Sequence, residues 1–101
     1  MRVLGIDEVD YLDFYSYLIK NRENLSDKEF QKYFFKMLNK TYKKDIECAI
    51  LINNNNKIVG FMVYSLSVED GELLFIVDFV FIEKDYRGKL NSIYFYNYIY
   101  N

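Results

Sequence analysis

A chain of 101 residues with a formal charge of −2 supports one domain and excludes a second, and a domain of this size buries roughly 60–65% of the surface its unfolded chain exposes. Thirteen Lys and Arg against fifteen Asp and Glu argue against a general polyanion binder, which needs a basic excess to release counterions. Histidine is absent, which excludes Ser-His and Cys-His nucleophile pairs, His-ligated zinc and the usual neutral-pH general base.

Acids, Tyr, Lys, Cys or water remain for proton work, and no metal site is expected. Phe and Tyr make up 20% of the chain, with neither Trp nor Pro, so stability rests on aromatic burial at about 150–250 Å² per ring. The one cysteine, Cys48 in "ECAILIN", cannot form an internal disulfide and reads as a small buried hydrophobe. Asp7, Glu8 and Asp10 are unlike a signal peptide, and no apolar run approaches the roughly 20 residues of a membrane span. A cytoplasmic protein with no membrane contact is expected.

In chain order, "MRVLGI" predicts a short first strand, and Asp7 or Glu8 stands where negative charge favours a helix start. Val9, Leu12, Phe14, Tyr15, Leu18 and Ile19 then predict a first helix from Val9 to Lys20. Ser26 and Glu29 form a capping-box signature ahead of Phe30, Tyr33, Phe34, Met37 and Leu38, predicting a second helix from near Asp27. Its aromatic stripe is core packing.

Beyond Asp45 the texture changes to short apolar runs. "IECAILI" and "KIVGFMVYSLS" flank the loop-forming "NNNN", and "VEDGE" supplies a second turn before "LLFIVDFVFI". These predict three antiparallel strands in meander order. The whole reads strand, helix, helix, three strands, helix: an α+β arrangement with helices packed on the sheet.

The turn Tyr86-Arg87-Gly88-Lys89 lies between the long apolar strand and a closing helix. A helix N-terminus presents unpaired N–H groups and partial positive charge, which suits phosphate when the preceding turn lets backbone approach. Gly88 can take positive φ, Arg87 and Lys89 add charge, and Asn91 and Ser92 keep the first helical turn small and polar. A charged corner of this kind also occurs at many surface turns.

"KIVGFMVYSLS", a turn, then "DFVFIEKDYRGKLNS" resembles the acyl-CoA-binding region of the GCN5-related N-acetyltransferase (GNAT) superfamily. There a Val-Gly-Phe-like step leads into the fourth strand, and an Arg or Gln opens a pyrophosphate loop of the form Arg/Gln-x-x-Gly-x-Gly/Ala. Arg87 falls on the first position, Ser92 on the sixth, and Leu90 on the fourth, where the family usually has Gly. The resemblance covers the whole chain but only about the first half of a family domain, so a single truncated GNAT-like domain, residues 1–101, is implied.

The resemblance implies acetyl-CoA as cofactor, with the main chain of Val80, Phe81 and Ile82 against the pantetheine arm and Arg87, Gly88, Lys89, Asn91 and Ser92 around the pyrophosphate. Asp78, the one charged residue in the apolar strand, is the best available general base, its pKa raised if it is buried without a partner; the other reading is an acid at a strand bulge or bonded to a Tyr hydroxyl. Family members often carry that acid two residues earlier, where Ile76 stands. Tyr98 and Tyr94 on the last helix are substitutes for the family's general acid, and packing explains each equally well.

The closing helix, "LNSIYFYNYIY", carries no charge and is apolar around most of its circumference. Tyr94, Phe95 and Tyr98 are therefore expected to bind a partner, and the long apolar strand is expected at a sheet edge. Two functions follow: an acyl-CoA-dependent N-acetyltransferase acting on an amine and completed as a homodimer, or a non-catalytic protein that grips a protein target. The resemblance extends the second to small phage anti-CRISPR inhibitors of RNA-guided nucleases.

Overall fold

The apolar pattern leaves two sheet faces to cover, and a helix covers each. In the computed structural model, which describes residues 1–25, 28, 31, 46–88 and 93–100, β1 (Arg2–Gly5), β2 (Ile46–Ile52), β3 (Ile58–Glu69) and β4 (Glu72–Ile82) form one antiparallel sheet in the order β1-β2-β3-β4. The expected meander is present, and the first strand joins it, Gly5 opposite Ala49 and Arg2 opposite Ile52. Of the expected second helix only Lys28 and Gln31 are described, both helical; its capping box and apolar stripe lie outside the described residues.

Strand side chains alternate between faces, and the two cores follow that alternation. On one face Ile50, Ile52, Phe61, Val63 and Phe81 meet Phe14, Tyr17 and Leu18 of helix α1 (Tyr11–Lys20). On the other Ala49, Leu51, Met62 and Tyr64 meet Phe95 of helix α2 (Ile93–Tyr100). Phe14, Leu18, Phe61 and Phe95 are fully buried, each worth about 1.5–3 kcal/mol of transfer free energy. Phe61 is the hub of the α1 side, with ring centroids 5.4 Å from Phe14, 5.7 Å from Phe79 and 6.0 Å from Phe81.

The start of α1 differs from the expectation. Asp7 and Glu8 lie in a 3-10 turn, Ile6–Glu8, whereas Asp10 is the cap, its carboxylate accepting from the N–H groups of Leu12 at 2.8 Å and Asp13 at 3.2 Å. Leu12 and Ile19 are also off the buried stripe, Leu12 being 67% exposed. At about 100° per residue, Leu12 sits roughly opposite Phe14, and Tyr17 takes the inward place.

Turn chemistry fixes the register. The Asn53 side chain accepts from the N–H groups of Asn55 at 2.9 Å and Lys57 at 3.0 Å, and Asn56 takes φ 61°. Between β3 and β4, Asp70 (φ 54°) and Gly71 (φ 79°) form a two-residue turn closed by Glu69 opposite Glu72. Positive φ at both central residues gives a turn whose twist matches the strands. Gly60 serves close packing instead, because a Cβ there would stand 2.6 Å from the Phe81 carbonyl oxygen and 3.2 Å from the Ile82 Cα. Only a residue without a side chain lets β4 lie this close to β3 at that point.

Candidate functional site

β4 is the last strand of the described sheet, so one of its edges carries no strand partner among the described residues. Its register breaks once: Phe79 lies opposite Val63 and Val77 opposite Tyr64, which leaves Asp78 as the extra residue of a β-bulge. Asp78 is exposed rather than buried. The bulge reading of this acid is the one the register supports.

Past the bulge, the strand ends in a group of tied-down residues. The Glu83 N–H donates to the Val59 carbonyl at 2.9 Å. In a trans peptide the preceding carbonyl points the opposite way, so the Ile82 carbonyl faces the open edge. Arg87 takes it: its Nε–H donates to the Ile82 carbonyl oxygen, and its guanidinium carbon lies 5.8 Å from the centre of the Phe81 ring. The cation expected at the pyrophosphate thus lies at the end of β4, held by the strand that would carry the pantetheine arm.

The connecting turn, Lys84–Tyr86, is one 3-10 turn, with the Tyr86 N–H on the Glu83 carbonyl at 2.8 Å and the Arg87 N–H on the Lys84 carbonyl at 3.3 Å. Gly88 follows at φ 74°, and a Cβ added there would meet nothing within 4 Å among the described residues. The expected left-handed glycine is therefore present. Lys89, Leu90, Asn91 and Ser92 lie outside the described residues. Val80, Phe81 and Ile82 occupy the last three positions of β4, Val80 exposed and Phe81 buried against α1.

Tyr98 lies elsewhere. A methyl at Gly5 would come within 2.7 Å of its hydroxyl, which places that hydroxyl over β1, three strand spacings or roughly 14 Å from β4. Asp78 and Tyr98 therefore do not share a reacting atom, and the expected acid–base pair is not formed. The Tyr98 pKa is raised by burial first and then by the Glu8 and Glu47 carboxylates. Tyr64, beneath the same helix, is pushed up to about 12, by burial first and then Glu47.

Of the three partner-binding residues expected on α2, Phe95 is corrected: it is 1% exposed and part of the core beneath the helix. Its i+4 neighbour Ile99 packs on the same side, so the helix buries one stripe and leaves the rest outside. Tyr94 and Tyr98 remain exposed and, with Val3 and Asn97, line a shallow hollow beside β1. Tyr96 and Tyr100 flank Phe75 of β4 at 6.1 and 6.0 Å between ring centroids.

One pair at the strand end was missed from sequence. The Tyr17 hydroxyl donates to the Glu83 carboxylate at 2.9 Å, tying α1 to the end of β4, and burial followed by that hydrogen bond raises the Tyr17 pKa. Its available signal was the three-residue spacing from Phe14 to Tyr17, which puts a hydroxyl on the inward stripe. Among the described residues no helix is long and apolar enough to cross a membrane.

No family model and no curated protein matches the sequence. Solved structures do match. A possible acetyltransferase from Clostridium difficile 630 superposes with TM-score 0.61 at 18% identity, covering 99% of this chain and 68% of that one. A ribosomal-protein-alanine N-acetyltransferase from Brucella melitensis biovar Abortus 2308 gives TM-score 0.62 at 18% identity over 97% of this chain and 66% of that one. A mutant of the BH1408 protein from Bacillus halodurans gives 0.57 at 12% identity over 99% and 73%. The chain thus has a GNAT-like α+β fold and spans about two thirds of the length of these neighbours, rather more than the half expected.

Proposed function

We propose that this chain is an acyl-CoA-dependent N-acetyltransferase, using the end of β4 as its coenzyme rail and a second copy to complete the site. The single observation that supports this most is the sequence of features along one edge: a bulge at Asp78, an outward carbonyl at Ile82, then Arg87 and a left-handed Gly88 before α2. Main-chain groups of Val80 to Ile82 suit the amides of a pantetheine arm. Arg87 supplies a forked cation for a pyrophosphate, and the left-handed Gly88, which has no side chain, lets backbone approach.

The chemistry asks for an amine nitrogen to attack the thioester carbonyl, the C–S bond to break, and the amine proton to leave. Asp78, exposed in the bulge, accepts that proton directly or through one water. The coenzyme leaves as its thiolate and takes a proton from water, since Tyr98 stands over β1 and not beside β4. The cytoplasm, where acetyl-CoA and a reduced Cys48 coexist, is the proposed setting.

Calorimetric titration of acetyl-CoA into the protein tests this. Binding is expected for the native chain, and Arg87→Ala should weaken it by about tenfold or more, from roughly 1.5–3 kcal/mol for hydrogen bonds to a charged group. No heat with the native protein at millimolar ligand would end the enzyme reading.

A second reading is favoured by the exposure of Tyr94, Tyr96, Tyr98 and Tyr100 on α2: a non-catalytic inhibitor that presents this helix to a protein target, such as an anti-CRISPR acting on an RNA-guided nuclease. Inhibition of nuclease cleavage without acetyl-CoA, lost on Tyr98→Ala, is its expected signature, and unimpaired cleavage would reject it.

A further inference from the structure

We propose that residues 72–77 of β4 accept an extended, basic-flanked segment of another protein as an additional strand. The two halves of this edge strand differ. Beyond Asp78, the edge is protected by the bulge and by Arg87 on the Ile82 carbonyl, two devices that stop a sheet from growing. Before Asp78 neither exists: residues 72–77, "ELLFIV", hold no Lys, no Pro and no bulge.

The backbone there is aligned for pairing. Glu69 and Glu72 close a two-residue turn and are the hydrogen-bonded kind of pair, so antiparallel alternation turns the N–H and C=O groups of Leu73, Phe75 and Val77 away from β3. Three donors and three acceptors then face outward along one line. The side chains beside them are apolar yet outside: Leu73 is 61% exposed, with Ile76, Val77 and Val68 also exposed. A new strand would cover these side chains as well as satisfy the backbone.

Charge selects the occupant. Glu69, Asp70 and Glu72 stand at one end of this stretch and Asp78 at the other, and from Ile58 to Ile82 the chain carries not one Lys or Arg. An acidic rim around an apolar edge attracts Lys or Arg at the ends of the incoming segment and repels its own kind. Antiparallel self-pairing centred on Phe75 would set Glu72 opposite Asp78 of the other copy, and like charges directly opposite are destabilising. A second copy is thus disfavoured here, and a nucleic acid more so.

The proposal stands apart from the acyl-CoA reading, which concerns residues beyond the bulge and is tested by its own titration. The probe is a fluorescent synthetic peptide of alternating Val and Thr with two Lys at each end, followed by anisotropy. Three comparisons accompany it: the same peptide with Glu at both ends, one with Pro at its centre, and the Lys peptide at about 50 and about 500 mM salt. Binding of the Lys peptide is expected, at least about tenfold tighter than the Glu or Pro peptide and weaker in high salt.

Leu73→Lys and Val77→Lys, both at exposed positions, should each abolish peptide binding with the circular dichroism spectrum unchanged. Equal affinity for Lys and Glu peptides, equal affinity for the Pro peptide, binding that survives both substitutions, or none at about 1 mM would each overturn the proposal. So would a dimer, seen by sedimentation, that Val77→Lys dissolves, because the edge would then belong to a second copy.

Discussion

Replacing Gly60 by Ala sets two effects of opposite sign against each other. Gly60 is absent from the positive-φ residues, so alanine is allowed there by backbone conformation, and restricting the unfolded chain would stabilise by about 0.4–1 kcal/mol. The added methyl, however, would stand 2.6 Å from the Phe81 carbonyl oxygen and 3.2 Å from the Ile82 Cα. Both neighbours are backbone, so no rotamer change relieves the contact, and overpacking of this kind costs about 1–3 kcal/mol. The clash wins: Gly60→Ala should destabilise by about 1–2 kcal/mol, lowering the melting temperature by about 4–16 °C for a domain of this size. Gly5→Ala is the control, since the methyl would meet the Tyr98 hydroxyl, the far end of a side chain. Thermal unfolding followed by circular dichroism reads both. An unchanged or raised melting temperature for Gly60→Ala would show that β4 is not held against β3 as described.

Phe61→Ala removes the ring shared by Phe14, Phe79 and Phe81 and should cost about 3–5 kcal/mol in urea titration; a loss below about 1 kcal/mol would contradict its central place. Asp10→Ala removes the α1 cap and should cost about 0.5–2 kcal/mol, checked by the same titration. Tyr64, Tyr17 and Tyr98 hold their protons more tightly folded than unfolded, so their contribution is intact below the unfolded tyrosine pKa of about 10. It is lost as pH rises through about 12 for Tyr64. The melting temperature should fall across that window more steeply for the native chain than for Tyr64→Phe, and equal slopes would refute the assignment. In the acetyl-transfer reading, Asp78→Asn should lower turnover by about 10²-fold with coenzyme affinity kept; full turnover would remove Asp78 as base.

The strands were legible in sequence because their signals are local. "IECAILI" alternates its faces residue by residue, and the Asn run and Asp70-Gly71 are turn formers whose geometry needs no tertiary help. The helices were legible as elements and less so as faces: an apolar count admits Leu12 and Ile19 to the α1 stripe, while a strict 3.6 period excludes them and admits Tyr17. Phe95 was misplaced for a related reason. A helix apolar all round does not announce which stripe the sheet will cover, and that is decided by Ala49, Met62 and Tyr64 beneath it. Where Tyr98 ends up relative to Asp78 depends on strand order, β1 and β4 being opposite edges of the sheet, and spacing along the chain carries no trace of that.

The bulge at Asp78 divides β4 into two edges with different chemistry, and this division explains why one strand can hold two roles. An extra residue shifts the following backbone out of step with β3, so a partner strand paired with residues 72–77 would lose register at Asp78 and stop there. Beyond it, the outward Ile82 carbonyl is already engaged by Arg87. A ligand that donates to this carbonyl would share or compete for it with Nε, and an anion near Gly88 would offer Arg87 a stronger partner than a neutral carbonyl. Release of the edge and capture of the anion would then be one movement of one side chain. Arg87→Lys separates these roles, because lysine keeps the charge but lacks the planar fork that spans both sites.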